Sequence, residues 1–162
     1  GISTSYTAAP NGLGNLIVGY NEDHPYYGSE KTGSHNVIVG PFHTYTNHGG
    51  LVTGINNTIA GPGAAVTGGR DNVASGWASS VSGGRANEAS EYLSSVSGGA
   101  DNTASGAESS VSGGWNNTAS GNQSSVSGGN ANEASMFFSS VSGGTSNVAD
   151  EAGGLFPFHD YH

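Results

Sequence analysis

The hexapeptide SSVSGG begins at Ser79, Ser94, Ser109, Ser124 and Ser139, so that each copy starts fifteen residues after the last. A period this strict and this short limits the fold more than any other property of the chain. Fifteen residues are too few for two helices and a turn, and Gly and Ser oppose helix in any case. A disordered Gly/Ser linker has no reason to hold a Val in fixed phase through five copies, whereas stacked coils that share one thin core do. The unit fits two short strands and two tight turns, one rung of a solenoid.

The whole unit reads SSVSGGxxNxASxxx, with a second element at NVAS (Asn72), NEAS (Asn87), NTAS (Asn102), NTAS (Asn117), NEAS (Asn132) and NVAD (Asn147). AAVTGG at Ala64–Gly69 is an earlier copy of the first element, and GLVTG with NTIAG carries both elements at a spacing of fourteen. In an extended strand alternate side chains share a face. Val66, Val81, Val96, Val111, Val126 and Val141 therefore form one inward row, with Ser80 and Ser82 turned outward. The same rule puts Asn87 and Ala89 inward and Glu88 and Ser90 outward. Paired glycines supply the backbone freedom of a tight corner, and Asn72, Asn87, Asn102, Asn117, Asn132 and Asn147 are placed to bond along a column.

Three regions of one continuous domain follow. Residues 1–50 are looped early rungs, with strand signals NLIVG and NVIVG separated by YNEDHPYYGSEKTGSH, and with PFHTYTNHGG reading as a second excursion. Residues 51–150 are the regular body, and residues 151–162 form an aromatic tail containing Leu155, Phe156, Phe158 and Tyr161. That tail is a candidate docking segment, able to cap its own solenoid or to meet a neighbouring subunit.

Charge and composition exclude several function classes. Three basic residues stand against twelve acidic ones, for a net charge of −9, which disfavours nucleic acid and anionic membranes because phosphate contact needs clustered cations. Cysteine is absent, so neither a disulfide framework nor a thiolate metal site is available. No apolar run reaches the length of a membrane span, and GISTSYTAAP lacks the basic and apolar blocks of a signal peptide, so an export signal or anchor is expected outside this sequence.

Catalysis is not expected. No GxSxG elbow sits between a strand and a helix, and no repeated Ser has a His at triad spacing. Glu88, Glu91, Glu108 and Glu133 recur at outward positions and read as solvating charges. His159, Asp160 and His162 are metal-ligand types, yet a four-residue stretch seldom closes a first shell alone, and His24, His35, His43 and His48 read as surface or packing residues of the looped region. No metal or cofactor is expected. Asn56, Asn116 and Asn122 match the N-x-[ST] pattern, which is close to chance in so Asn- and Ser-rich a chain.

One variable position breaks the monotony. GWA, EYL, GAE, GNQ and MFF fall at the same corner, so Trp77, Tyr92, Leu93, Phe137 and Phe138 decorate one edge, with Trp115 at a different corner. They are either contact points for a protein or glycan, or shields for the corners and for gaps at a subunit interface.

GLGNLIVGYNE, TGSHNVIVG, GGLVTGINNTIAG and the serial SVSGGxxNTASG units resemble the head domains of trimeric autotransporter adhesins, over about Asn15 to Asp150. The resemblance implies a left-handed parallel β-roll, all-β and trimeric, working outside the cell or at its surface against host, matrix or other cells. Fifteen residues per rung depart from the more usual fourteen of that family, and no neck, heptad stalk or barrel anchor is present. Independently, a roll of Val and Ala buries too little apolar area to offset ordering of its backbone, roughly 1–2 kcal/mol per residue. A homo-oligomer is therefore expected, as a trimer or a filament. Regular Thr rows of the kind expected for ice binding are missing.

Overall fold

Among the described residues eighteen strands, fifteen of two residues and three of three, are divided between two parallel sheets. The computed structural model describes residues 10–152 together with Leu155 and Phe156. In chain order the early strands are β1 (Leu16–Val18), β2 (Val37–Val39), β3 (Thr44–Tyr45), β4 (Leu51–Thr53), β5 (Thr58–Ile59) and β6 (Ala65–Val66). The body continues with β7 (Val73–Ala74), β8 (Ser80–Val81), β9 (Glu88–Ala89), β10 (Ser95–Val96), β11 (Thr103–Ala104) and β12 (Ser110–Val111). It closes with β13 (Thr118–Ala119), β14 (Ser125–Val126), β15 (Glu133–Ala134), β16 (Ser140–Val141), β17 (Val148–Ala149) and β18 (Leu155–Phe156). The first sheet runs β1-β2-β4-β6-β8-β10-β12-β14-β16-β18 and the second β3-β5-β7-β9-β11-β13-β15-β17. Every neighbouring pair is parallel and in register by whole repeats, Val96 against Val111 and Ala104 against Ala119 being typical. The chain is a parallel β-solenoid, and the described residues contain no helix.

The core is the two facing rows that alternation requires. Val66, Val81, Val96, Val111, Val126 and Val141 are buried from the first sheet, and Ala74, Ala89, Ala104, Ala119, Ala134 and Ala149 from the second. Dispersion and desolvation act on only these thin rows, so backbone ladders carry a large share of the cohesion. The Asn column is buried as well, and its bonding is more specific than amide stacking. Asn102 Oδ1 accepts the backbone N–H of Asn117 at 3.0 Å, while its own N–H donates to Asn87 Oδ1 at 3.0 Å. Asn102 Nδ2 donates to the carbonyls of Gly98 and Gly114, each at 3.0 Å. One side chain thus bonds three backbone groups at the corner, of which the Gly114 carbonyl also accepts the Ala100 N–H at 3.0 Å.

The corners differ from each other. At the glycine corner the register passes from fourteen to fifteen between Val52↔Val66 and Ile55↔Arg70. The added residue falls between Val66 and Gly69, because Gly54 and Gly69 play the same part: both are left-handed, at φ 103° and 78°. At Gly99 (φ 85°) a Cβ would fall on the Gly114 carbonyl oxygen of the next rung, whereas a Cβ on Gly98 meets nothing. The glycine corner thus requires one glycine on both conformational and steric grounds, and the other has room for a side chain.

Both corners hold left-handed residues that are not glycine: Asp71, Ala86, Asp101, Asn116, Ala131 and Ser146 follow the glycine pairs, and another set stands at the second corner. Ala78, Leu93, Glu108, Gln123 and Phe138 have φ between 51° and 59° and align with Gly63 of the first GPGA turn. Ser79 closes this turn, its N–H donating to the Gly76 carbonyl at 3.2 Å and its buried hydroxyl at 2.9 Å. The first Ser of SSVSGG is therefore an inward structural residue, as the i, i+2 relation to Val81 allows.

The early rungs depart from the sequence reading at PFHTYTNHGG. It is not an excursion: Thr44–Tyr45 is a strand of the second sheet, with Tyr45 in the Ala row and His43 in the Asn column. His43 Nδ1 accepts the Asn57 N–H at 3.1 Å and Nε2 meets the Val39 carbonyl at 3.1 Å, as Asn57 Nδ2 does with Thr53 at 2.7 Å. This His is buried core and not a surface or loop residue. Residues 19–33 do leave the solenoid, but they turn back over its edge: the Tyr45 N–H donates to the Glu30 carbonyl at 2.9 Å and the Gly33 N–H to the Tyr45 carbonyl at 2.8 Å. The loop therefore pairs the outer edge of β3, the exposed side of the second sheet.

Candidate functional site

The second corner carries the side chains that break the repeat. Its middle column runs Pro62, Trp77, Tyr92, Ala107, Asn122 and Phe137, one residue per rung. The next column runs Gly63, Ala78, Leu93, Glu108, Gln123 and Phe138, and each member donates its N–H to the middle column of the preceding rung, as Leu93 does to Trp77 at 2.9 Å. Rung-to-rung backbone bonds thus hold the edge as a straight, rigid support.

On that support the aromatics form two clusters. Trp77 and Tyr92 stack with ring centroids 5.1 Å apart and planes 11° from parallel. Phe137 and Phe138 pack at 4.0 Å and 60°. All four remain 45–56% exposed, and Leu93 is 43% exposed. Leu93 and Phe138 hold bulky side chains in the left-handed region, a conformation that costs about 1 kcal/mol or more and draws attention to the positions it occupies. Between the clusters lie two rungs of small or polar residues, Gly106–Ala107–Glu108 and Gly121–Asn122–Gln123. Gln123 Nε2 donates to Glu108 Oε2 at 2.8 Å, and Asn122 Oδ1 accepts the Ala107 N–H at 3.2 Å.

Trp115 lies on the glycine corner, apart from the other five. Its Nε1–H donates to Asp101 Oδ2 at 3.0 Å, and the same oxygen faces Arg85 Nη2 at 3.4 Å. A third aromatic group caps the early rungs, where His24 stacks on Tyr27 at 3.6 Å and packs its edge toward Phe42. Leu155 and Phe156 extend the first sheet of their own chain, opposite Ser140 and Val141. Phe158, Tyr161, His159, Asp160 and His162 lie outside the described residues.

Chemically, the edge offers contact and hydrogen bonding. Among the described residues no three His, Asp or Glu side chains come together in a way that could hold a metal ion, and no helix is long and apolar enough to cross a membrane. Burial pushes His43 below the ordinary histidine range, which its backbone bonds to Val39 and Asn57 oppose without reversing. Sequence reasoning found the aromatic positions from the broken period. It missed the left-handed turn, although Pro62–Gly63 is the signature of such a turn, and it missed His43, whose spacing of fourteen from Asn57 was available. No protein-family model matches the chain, and no curated protein matches it.

Proposed function

We propose that this solenoid is a non-catalytic adhesive and structural module that acts outside the cell, presenting a multivalent surface for attachment to cells or matrix. One observation carries the reading: in the regular body the inward rows hold only packing and backbone-bonding groups, while the exposed aromatic side chains sit at variable positions of the repeat. A scaffold of this kind holds contact groups at fixed spacing, and repeated weak contacts then combine into strong attachment. Lateral association through the flat Ser/Thr outer rows would supply the burial that the thin core lacks, giving a homotrimer of the autotransporter-head type.

A filament is the second reading, favoured by the exposed Leu16, Ile17 and Val18 of β1. All strands point the same way, so β18 of one subunit could continue into β1 of another, with the tail docked across the junction. Light scattering at micromolar concentration with negative-stain microscopy separates these states. Short rods of three chains support the head, and long filaments support end-to-end stacking. A folded monomer overturns both assemblies. Retention on matrix-coated or cell-coated surfaces tests adhesion directly, and its absence for a correctly assembled protein removes the adhesive reading.

A further inference from the structure

We infer that the edge between Tyr92 and Phe137 is a binding site for an uncharged oligosaccharide, an inference that rests on the adhesive reading and names its ligand class. The geometry begins with the Trp77–Tyr92 stack. Its 5.1 Å centroid separation matches the roughly 4.8 Å between parallel strands, so the stack runs along the solenoid axis. The rings overlap in part and Tyr92 stays 46% exposed, and in the next rung the column supplies only the methyl of Ala107. Phe137 stands three rungs from Tyr92, about 14 Å away along the axis. The Asn122 side chain, bonded to the Ala107 N–H at 3.2 Å, takes up part of this interval, and one flat ring fits against Tyr92 beside it.

The polar groups in this interval suit hydroxyls. In the Gln123–Glu108 pair one amide hydrogen is used, which leaves the second amide hydrogen, the amide oxygen and a carboxylate oxygen for a ligand. A pyranose presents an apolar C–H face and a rim of hydroxyls that both donate and accept, so it can lie on Tyr92 while its rim reaches Glu108 and Gln123. Its polarised C–H groups meet the negative face of the ring.

Charge and size exclude the other ligand classes. Of the three cations, Arg70 and Arg85 sit on the glycine corner and Lys31 pairs with Asp23 at 2.7 Å in the early loop, so none faces this edge. Glu91 and Glu108 lie beside it and the chain carries −9, so a sulfated, phosphorylated or carboxylated glycan would be repelled. From Trp77 to Phe138 the edge is about 20 Å long and about 10 Å wide, on the order of 200 Å², against about 800 Å² per partner in a stable protein interface. A second copy or a globular partner therefore finds too little surface here.

The experiment is calorimetric titration of the assembled protein with neutral hexasaccharides, β-1,4-glucan, β-1,4-linked N-acetylglucosamine and α-1,4-glucan, with polygalacturonate and oligolysine as charged comparators. At least one neutral probe is expected to bind, with Tyr92→Ala weakening it at least tenfold, Gln123→Ala several-fold and Trp115→Ala not at all. Far-UV circular dichroism checks that the variants fold. Ala107→Trp is a second variant that extends the aromatic stack into the interval, and it is expected to block binding while the fold is kept. The proposal is overturned if no neutral probe binds more tightly than about 10 mM, if only a charged comparator binds, or if Tyr92→Ala and Ala107→Trp bind as the unaltered protein does. Surface retention measured in parallel separates the two levels: adhesion that persists without sugar binding removes this site and leaves the adhesive reading in place.

Discussion

The early rungs and the regular body build the same cross-section from different residues. In the body an Asn, an Ala and a Val fill the inward positions of each rung; in the first complete rungs His43, Tyr45 and Ile38 fill the corresponding ones. The comparison shows that a solenoid column specifies a task more than a residue type. The Asn position needs an acceptor for the next rung's N–H and a donor for a carbonyl four residues back, and a neutral imidazole provides both. The core rows need apolar volume, and the total can be shared differently between the two sheets. Early rungs place a large side chain on each sheet, and the body keeps medium Val opposite small Ala.

The sharpest way to break the body lies at the glycine corner. Gly99→Ala combines a left-handed φ of 85° with a clash against the Gly114 carbonyl and is expected to cost about 3 kcal/mol or more, seen as loss of the folded far-UV signal or a large fall in denaturation midpoint. Gly98→Ala is the matched control, expected to change stability by less than about 1 kcal/mol. Equal effects from the two would contradict the steric and conformational distinction between Gly98 and Gly99.

Next in size is Asn102→Ala, expected to destabilise by roughly 3 kcal/mol because it strands the Asn117 N–H and weakens the capping of two glycine carbonyls. Urea denaturation measures it, and Asn102→Asp should rescue only the acceptor side. The core rows come third: Val111→Ala should cost about 2 kcal/mol from two lost methyl groups and the space they leave, and Ile38→Ala more, in proportion to its larger side chain. If Ile38→Ala were the milder change, the early rungs would be loosely packed and the comparison would fail.

The smallest expected effect is also the one that most separates the regions. His43 is held neutral, with its folded pKa below the ordinary value of 6.5. Because the unfolded chain then binds the proton more readily, the His43 contribution is fully present above about pH 6.5 and is lost as pH falls toward the folded pKa. Hydrogen exchange at pH 7 and pH 5, corrected for intrinsic rates, should show the backbone near His43 and Asn57 losing protection while the Asn117 region changes little. His43→Asn should remove this difference, and its persistence would assign the acid sensitivity to another group.

Much of the fold was legible because alternation along a strand is a local rule. Once the period is known, the inward residues of SSVSGG and of NxAS follow without any tertiary information. The glycine pair and the aromatic edge were legible for the same reason, since residues at one phase of a solenoid share one line in space. PFHTYTNHGG was misread because its Asn had become His and its Ala had become Tyr. Identity concealed a register that spacing preserved. Among the described residues of the tail, Leu155 and Phe156 continue the pattern.

By itself the sequence determined the period, the two core rows, the Asn column and the place where the repeat is interrupted, all consequences of which side chains a two-sided strand turns inward. The tertiary structure decided what neighbouring rungs do to one another: which glycine of each pair is indispensable, which non-glycine residues are bent left-handed, that an imidazole stands in for an amide, and that Trp77 and Tyr92 stack from adjacent rungs. Those properties arise between residues fifteen apart in the chain and about 5 Å apart in space, a relation that exists only once the rungs are stacked.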